Sequence, residues 1–262
     1  TKITMNQYAK EKGFFPETVM RFDSWNVVML GLESSLTFSD NISVNVGGGH
    51  SIYGGNGNFK RRDYSATSTS PVSQREGGSE NRIITGDINV AGHLNRVRTF
   101  AFDGILGLRY QFWEWKDDTD SYKDSSSSQP ASLDDKHTTT YDLSIIAPYL
   151  GMTIMFSWEY FQMKSWIAYS PINRMVGHEQ DWLNDVSRYY IFENLQYLDI
   201  GLEVTGRFEE RFFATFGIAT QRILPGRGDV GDDSEDQLKK YPDIAEISQR
   251  MLFTTITVGF VF

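Results

Sequence analysis

The C-terminal stretch SQRMLFTTITVGFVF, Ser248 to Phe262, alternates between two kinds of residue. From Leu252 onward, Leu252, Thr254, Ile256, Val258, Phe260 and Phe262 share one side of an extended strand, because successive side chains point to opposite faces. Phe253, Thr255, Thr257, Gly259 and Val261 occupy the other side, which is smaller and more polar on average. A strand divided in this way separates two media. The face that ends in two aromatics is expected to meet lipid, with Phe262 at the lipid or its interface.

Composition does not oppose a membrane. The mean hydropathy is -0.39, and 23% of the residues are charged, which excludes a bundle of spanning helices. No uninterrupted apolar run reaches the ~18 to 20 residues that a spanning helix needs. A transmembrane barrel needs only ~10 residues per strand with every second one apolar, so it averages out as polar. The 18 Phe, 13 Tyr and 6 Trp suit aromatic girdles at two interfaces, and the absence of Cys excludes a disulfide framework. A net charge of -9 argues against a nucleic-acid partner. No signal peptide opens the chain at Thr1, so an exported protein is expected in mature form, signal removed.

The connections repeat a rhythm. VVMLGLESSLTF puts Val28, Leu30, Leu32, Leu36 and Phe38 on one face, SDN turns the chain, and ISVNVGGGHSIY returns with Ile42, Val44, Val46 and Ile52 outward. A long polar loop is expected from Gly54 to Asn81. IITGDINVAGHL and FAFDGILGLRYQFW form the next hairpin through NRVRT, and a second polar loop runs from Glu114 to His137. YDLSIIAPYLGMTIMF and FQMKSWIAYS meet at SWEY, with an irregularity expected at Pro148. NRMVGHEQDWLND makes a third loop, LQYLDIGLEVT and RFFATFGIATQRI meet at GRFEE, and a fourth loop spans Leu224 to about Ile247. Short turns thus alternate with long loops, as in outer-membrane barrels with short periplasmic turns and long extracellular connections.

Nine strands follow from Val19 onward, and the even number expected of a bacterial barrel assigns KITMNQYA as the tenth. The expectation is a single domain over residues 1–262: an all-β, antiparallel up-and-down transmembrane barrel of about ten strands in the bacterial outer membrane. Glu33, Asp87, Asp103, Arg109, Lys164, Asp199 and Glu203 fall on the polar sides of their strands, where they are expected to pair inside a narrow or plugged lumen.

With these strands placed, the chain resembles the omptins, ten-stranded outer-membrane proteases. The likeness is carried by WNVVMLGLESSLTFSDNISVNVGGGHSIYGGNGN, APYLGMTIMFSWEYFQMKSW, ENLQYLDIGLEV and the terminal FTTITVGFVF. It implies two Asp separated by one residue in the second outer loop, facing an Asp-x-His pair in the fourth, with the attacking water between them. The chemistry needs a base for the water's proton and a carboxylate to orient that base. Counted without gaps, the first pair of positions falls on Arg61 and Asp63 and the second on Glu179 and Asp181. One Asp of two remains in the first pair, and Asp181 replaces the His. His178 stands beside them with Val176, not an Asp, two residues before it.

Three functions follow. The first is an omptin-like barrel that has lost proteolysis and serves a binding, adhesive or structural role through its outer loops. The second is an endopeptidase with an altered acidic site of Asp63, Glu179 and Asp181. The third is an unrelated soluble or pore-forming barrel, which the alternation and the terminal Phe oppose. The KRR run (Lys60, Arg61, Arg62) places cations where the family keeps carboxylates, which repels the basic substrates that omptins choose. His178, Glu179, Asp181 and Asp63 offer ligand types that divalent cations take, yet their spacing matches no metal motif, and no metal or cofactor is expected. Expected partners are outer-membrane lipid, lipopolysaccharide as a structural lipid, and a protein or glycan ligand at the outer loops.

Overall fold

The computed structural model describes residues 2–8, 16–39, 41–64, 70–124, 131–132, 137–182, 185–208, 212–232 and 239–260. Every regular segment among them is a strand, and every pairing is antiparallel: β1 (Lys2–Tyr8), β2 (Pro16–Trp25), β3 (Val28–Ser39), β4 (Ile42–Tyr53), β5 (Asn56–Tyr64), β6 (Pro71–Val97), β7 (Phe100–Asp124), β8 (Ala131–Ser132), β9 (His137–Ser157), β10 (Phe161–Asp181), β11 (Val186–Phe208), β12 (Phe212–Asp232) and β13 (Lys239–Phe260).

Hydrogen bonds run from β6 through β5, β2, β1, β13, β12, β11, β10, β9 and β7, and the pairing of β7 with β6 closes the ring. β2 and β3 are two halves of one barrel strand, and β4 and β5 are two halves of the next. Trp25 faces Asn56 on one side of the interruption and Val28 faces Tyr53 on the other. The described residues therefore build ten barrel strands. The weak N-terminal segment is the first of them, joining the last from Lys2 opposite Arg250 to Gln7 opposite Ala245. Toward the short-turn end, β3 and the Met251–Phe260 part of β13 are not paired with each other among the described residues.

The outward face of the half nearest the short turns is the expected apolar belt. Leu32 is 84% and Ile256 81% exposed, with Leu30, Leu36, Ile88, Leu106, Leu150 and Val258 also exposed around the wall. Such a surface is stable only against lipid. Rings crowd its short-turn rim, with centroids 5.4 Å apart for Phe100 and Phe156, 5.4 Å for Trp158 and Phe161, and 4.9 Å for Phe212 and Phe260. The contact expected of Phe262 lies outside the described residues.

The four long polar stretches correct the expectation of loops. Most of each is strand: β5 and β6 fill Asn56–Tyr64 and Pro71 onward, β7 runs to Asp124, β10 to Asp181, β12 to Asp232, and β13 starts at Lys239. The apolar alternation fades where these strands leave lipid, because their outer face now meets water and turns polar. Their inner face stays apolar and builds a core inside the barrel from Met5, Met20, Phe22, Phe59, Trp113, Trp115, Tyr141, Met175, Tyr190 and Phe192.

Some of the backbone irregularities lie where the two halves meet. Asn26 and Gly55 take φ of 59° and 71° at the facing interruptions, and Asn194 takes 57° in β11. Bulges interrupt β10 between Ser170 and Asn173 and β12 between Ile223 and Gly226. A Cβ on Gly55 would lie 2.3 Å from the Trp25 carbonyl oxygen, so only glycine fits there. Pro148, expected at an irregularity, lies opposite the β10 bulge, where its missing N–H costs no ladder bond on that side. Bulges re-aim side chains, and here the lumen changes from charged pairs to apolar core.

On the lipid side, Ile256→Arg is expected to cost ~2 to 4 kcal/mol and to deplete folded, heat-modifiable protein from the membrane fraction. Thr257→Arg, on the inward face, is expected to do so much less. Equal losses would overturn the assignment of faces.

Candidate functional site

Two strands on opposite sides of the lumen carry the residues that the sequence singles out. Alternation on β5 turns Phe59, Arg61 and Asp63 inward, and alternation on β10 turns Met175, Gly177, Glu179 and Asp181 inward. The pairs therefore meet although 118 residues separate Arg61 from Glu179. Arg61 donates from Nη1 to Glu179 Oε1 at 2.5 Å and to Asp181 Oδ2 at 3.1 Å, and from Nε to Asp63 Oδ1 at 3.0 Å. Arg75, directly opposite Arg61 in the β5–β6 ladder, donates from Nη1 to Asp181 Oδ1 at 2.9 Å. Arg188 Nη1 lies 3.6 Å from Glu179 Oε1, and the Tyr190 hydroxyl donates to Glu179 Oε2. Thr18 and Ser73 donate to Asp63 at 2.9 and 2.6 Å.

This is a neutralised cluster of three guanidiniums and three carboxylates, with Arg61, Arg75, Glu179 and Asp181 closed to solvent and Asp63 and Arg188 partly exposed at its margin. Arg61 is 3%, Glu179 0% and Asp181 1% exposed. Its floor is the aromatic core, in which Phe22 lies 5.1 Å from Phe59 and 5.3 Å from both Trp115 and Tyr141, with Tyr141 6.0 Å from Tyr190. Charges at such a site are tolerable only while paired. Burial opposes ionisation of Asp63, but the Arg61 guanidinium, with the Ser73, Arg61 and Thr18 hydrogen bonds, holds its carboxyl below the usual carboxylate range. Burial, then the nearby Glu179 charge, pushes the Tyr141 and Tyr190 hydroxyls well up, so both stay protonated as donors.

His178 is not part of this cluster. It alternates to the outer wall, where Nε2 lies 2.9 Å from Ser187 Oγ and Nδ1 3.5 Å from Asp142 Oδ2. That placement removes it from any shared ligand set with Glu179, and no group of three or more His, Asp or Glu side chains suited to a metal occurs among the described residues. His93 pairs with Asp103 at 2.5 Å inside the barrel. The His137 side chain lies outside the described residues. Lower in the lumen, Arg109 donates to Asp87 at 2.8 Å, to the Tyr197 hydroxyl at 2.6 Å and to Asp199, and Lys164 lies 3.5 Å from Glu203. Asp87, Asp103, Arg109, Lys164, Asp199 and Glu203 thus pair as expected, whereas Glu33 is exposed on β3 and makes no ion pair among the described residues.

Arg75, Arg188, Tyr190, Thr18 and Ser73 escaped the sequence reading. A signal for Arg75 was present: once β5 and β6 are hairpin partners, the distance of Arg75 from the turn mirrors that of Arg61. Reading the segment as a loop hid it.

A closed antiparallel ring with an apolar belt, aromatic rims and a filled lumen defines a transmembrane β-barrel of the bacterial outer membrane. The chain belongs to the omptin family, whose model matches residues 19–262. Its fold is similar to that in the crystal structure of the outer membrane protease OmpT from Escherichia coli, with a TM-score of 0.87 and 15% sequence identity over 100% of this chain and 92% of that one. A search of curated proteins finds no match.

Two outcomes follow from the cluster. Arg61→Met leaves Arg75 and Arg188 alone against Asp63, Glu179 and Asp181, so one buried negative charge is no longer balanced, an expected loss of ~3 to 5 kcal/mol in urea unfolding of detergent-folded protein. Because the folded pKa of Asp63 is depressed, its contribution is full above the ordinary carboxylate range and disappears as pH falls through the folded value. Asp63→Asn should therefore flatten the acid limb of stability against pH and leave the neutral limb parallel to wild type.

Proposed function

We propose that this omptin-family barrel does not hydrolyse peptide bonds at the lumen site and acts at the outer membrane in a binding, adhesive or structural role through its outer end. One observation carries the reading: the Arg61 guanidinium sits among Asp63, Glu179 and Asp181, at positions that the resemblance assigns to the family's acid site. A general base must be free to take a proton and must reach a water. Here each carboxylate already accepts from a cation, Glu179 and Asp181 are sealed from solvent, and His178 faces the other side of the wall.

The alternative is an endopeptidase that uses Asp63, Glu179 and Asp181 as an altered acid site. Purified, folded protein with and without lipopolysaccharide, incubated with a fluorogenic peptide panel that includes dibasic sites, separates the two. The proposal expects no turnover; turnover abolished by Asp63→Ala or Glu179→Ala would establish the alternative.

The outer wall supports lipopolysaccharide as a partner. Just beyond the belt, Arg222 lies directly opposite Arg250, and Arg250 opposite Lys2; Arg21 and Lys60 are likewise cross-strand neighbours. Like charges directly opposite destabilise a sheet, and a phosphate lying across them reverses that effect. Arg222→Ala with Arg250→Ala should lower the lipopolysaccharide retained through purification, measured by phosphate per barrel. Unchanged retention would remove this band from the account.

A further inference from the structure

Beyond the lumen, three side chains on adjacent strands line up on the outer wall above the belt: Asp142 on β9, His178 on β10 and Ser187 on β11. We propose that they form a separate serine-type nucleophilic site that accepts activated acyl esters from the medium, with the Gln180 side-chain amide as donor to the developing oxyanion.

The geometry orders the roles. His178 Nδ1 lies 3.5 Å from Asp142 Oδ2, so the tautomer with its proton on Nδ1 turns that proton to the carboxylate. Nε2 is then the acceptor, and Ser187 Oγ lies 2.9 Å from it. The Tyr189 ring, directly opposite His178 in the ladder and centred 4.9 Å away, limits rotation of the imidazole. His178 and Asp142 are 31% and 36% exposed, so the group opens to solvent rather than to the core.

The sheet dictates the oxyanion donor. The β10–β11 ladder occupies the backbone between Ser187 and Gln180, so the donor proposed for a developing negative charge here is a side chain. Gln180 lies directly opposite Ser187 on the same face, at the ~5 Å Cβ separation of cross-strand neighbours. One amide stabilises less charge than a hole with several donors. The substrate must therefore bring a good leaving group: an activated ester suits the site and a peptide amide does not.

In the reaction, Ser187 Oγ attacks the acyl carbon while its proton passes to His178 Nε2. The bond to the leaving alkoxide breaks, and that proton goes to the alkoxide. Water, deprotonated by the same nitrogen, then releases the acyl group and restores Ser187. Only ester and water are consumed.

The test is a fluorophosphonate probe applied to folded full-length protein in detergent, read by intact and peptide mass spectrometry. Phosphorus bonds to Ser187 Oγ as fluoride leaves. The expected result is one adduct at Ser187, absent in Ser187→Ala and formed at least ~100-fold more slowly in His178→Gln, with both variants running as folded barrels. No adduct on folded wild type, an adduct elsewhere, or His178→Gln labelled at the wild-type rate would overturn the proposal. Peptide turnover that survives Ser187→Ala would instead count against the closed lumen site.

Discussion

A strand that forms the wall of a barrel can sort its side chains in only one way, alternately out and in, and every feature of this molecule depends on that constraint. In the half nearest the short turns the outward set meets lipid, so it is apolar and the inward set can be charged. In the outer half the outward set meets water, so the burden of burial passes to the inward set. The same ten strands therefore hold ion pairs around Arg109 at one level and aromatics around Trp115 at the next. Asn26, Gly55, Asn194 and the bulges in β10 and β12 stand near the boundary, where the wall changes its orientation to the core.

The Arg61 cluster follows from this layering. It lies on the aromatic floor, where low polarity makes an unpaired charge expensive and a paired one persistent. A guanidinium among these carboxylates does more than balance one of them. It converts a repulsive set of acids, which needs water or a substrate cation between its members, into a self-satisfied network that needs neither. Arg75 and Arg188 complete the balance from neighbouring strands.

Much of the fold was legible because lipid imposes a strict period of two. The belt positions at Leu30, Leu32, Ile88, Leu106 and Ile256 follow from it, while the first strand at Lys2–Tyr8 follows from the even strand count that closure of such a barrel requires. The outer strand extensions were not legible, since in GHEQDW or KRRDY polar residues fall on both faces and no apolar rhythm remains. Their inward members are charged because they pair across the lumen with residues far away in sequence, which no local pattern reports. For the same reason the site positions could be named while their state could not. Arg61 fell in a stretch expected to be a polar loop, and only the closed ring brings Glu179 to it.

Carboxyl footprinting tests the central claim most directly. Folded protein treated with a carbodiimide and an amine would be digested and its modified carboxyls mapped by mass spectrometry. A lumen site sealed by Arg61 predicts that Glu179 and Asp181 remain unmodified while the exposed Glu80 reacts. Modification of Glu179 as fast as Glu80 in the folded barrel would mean an open, hydrated acid site, and would contradict the account.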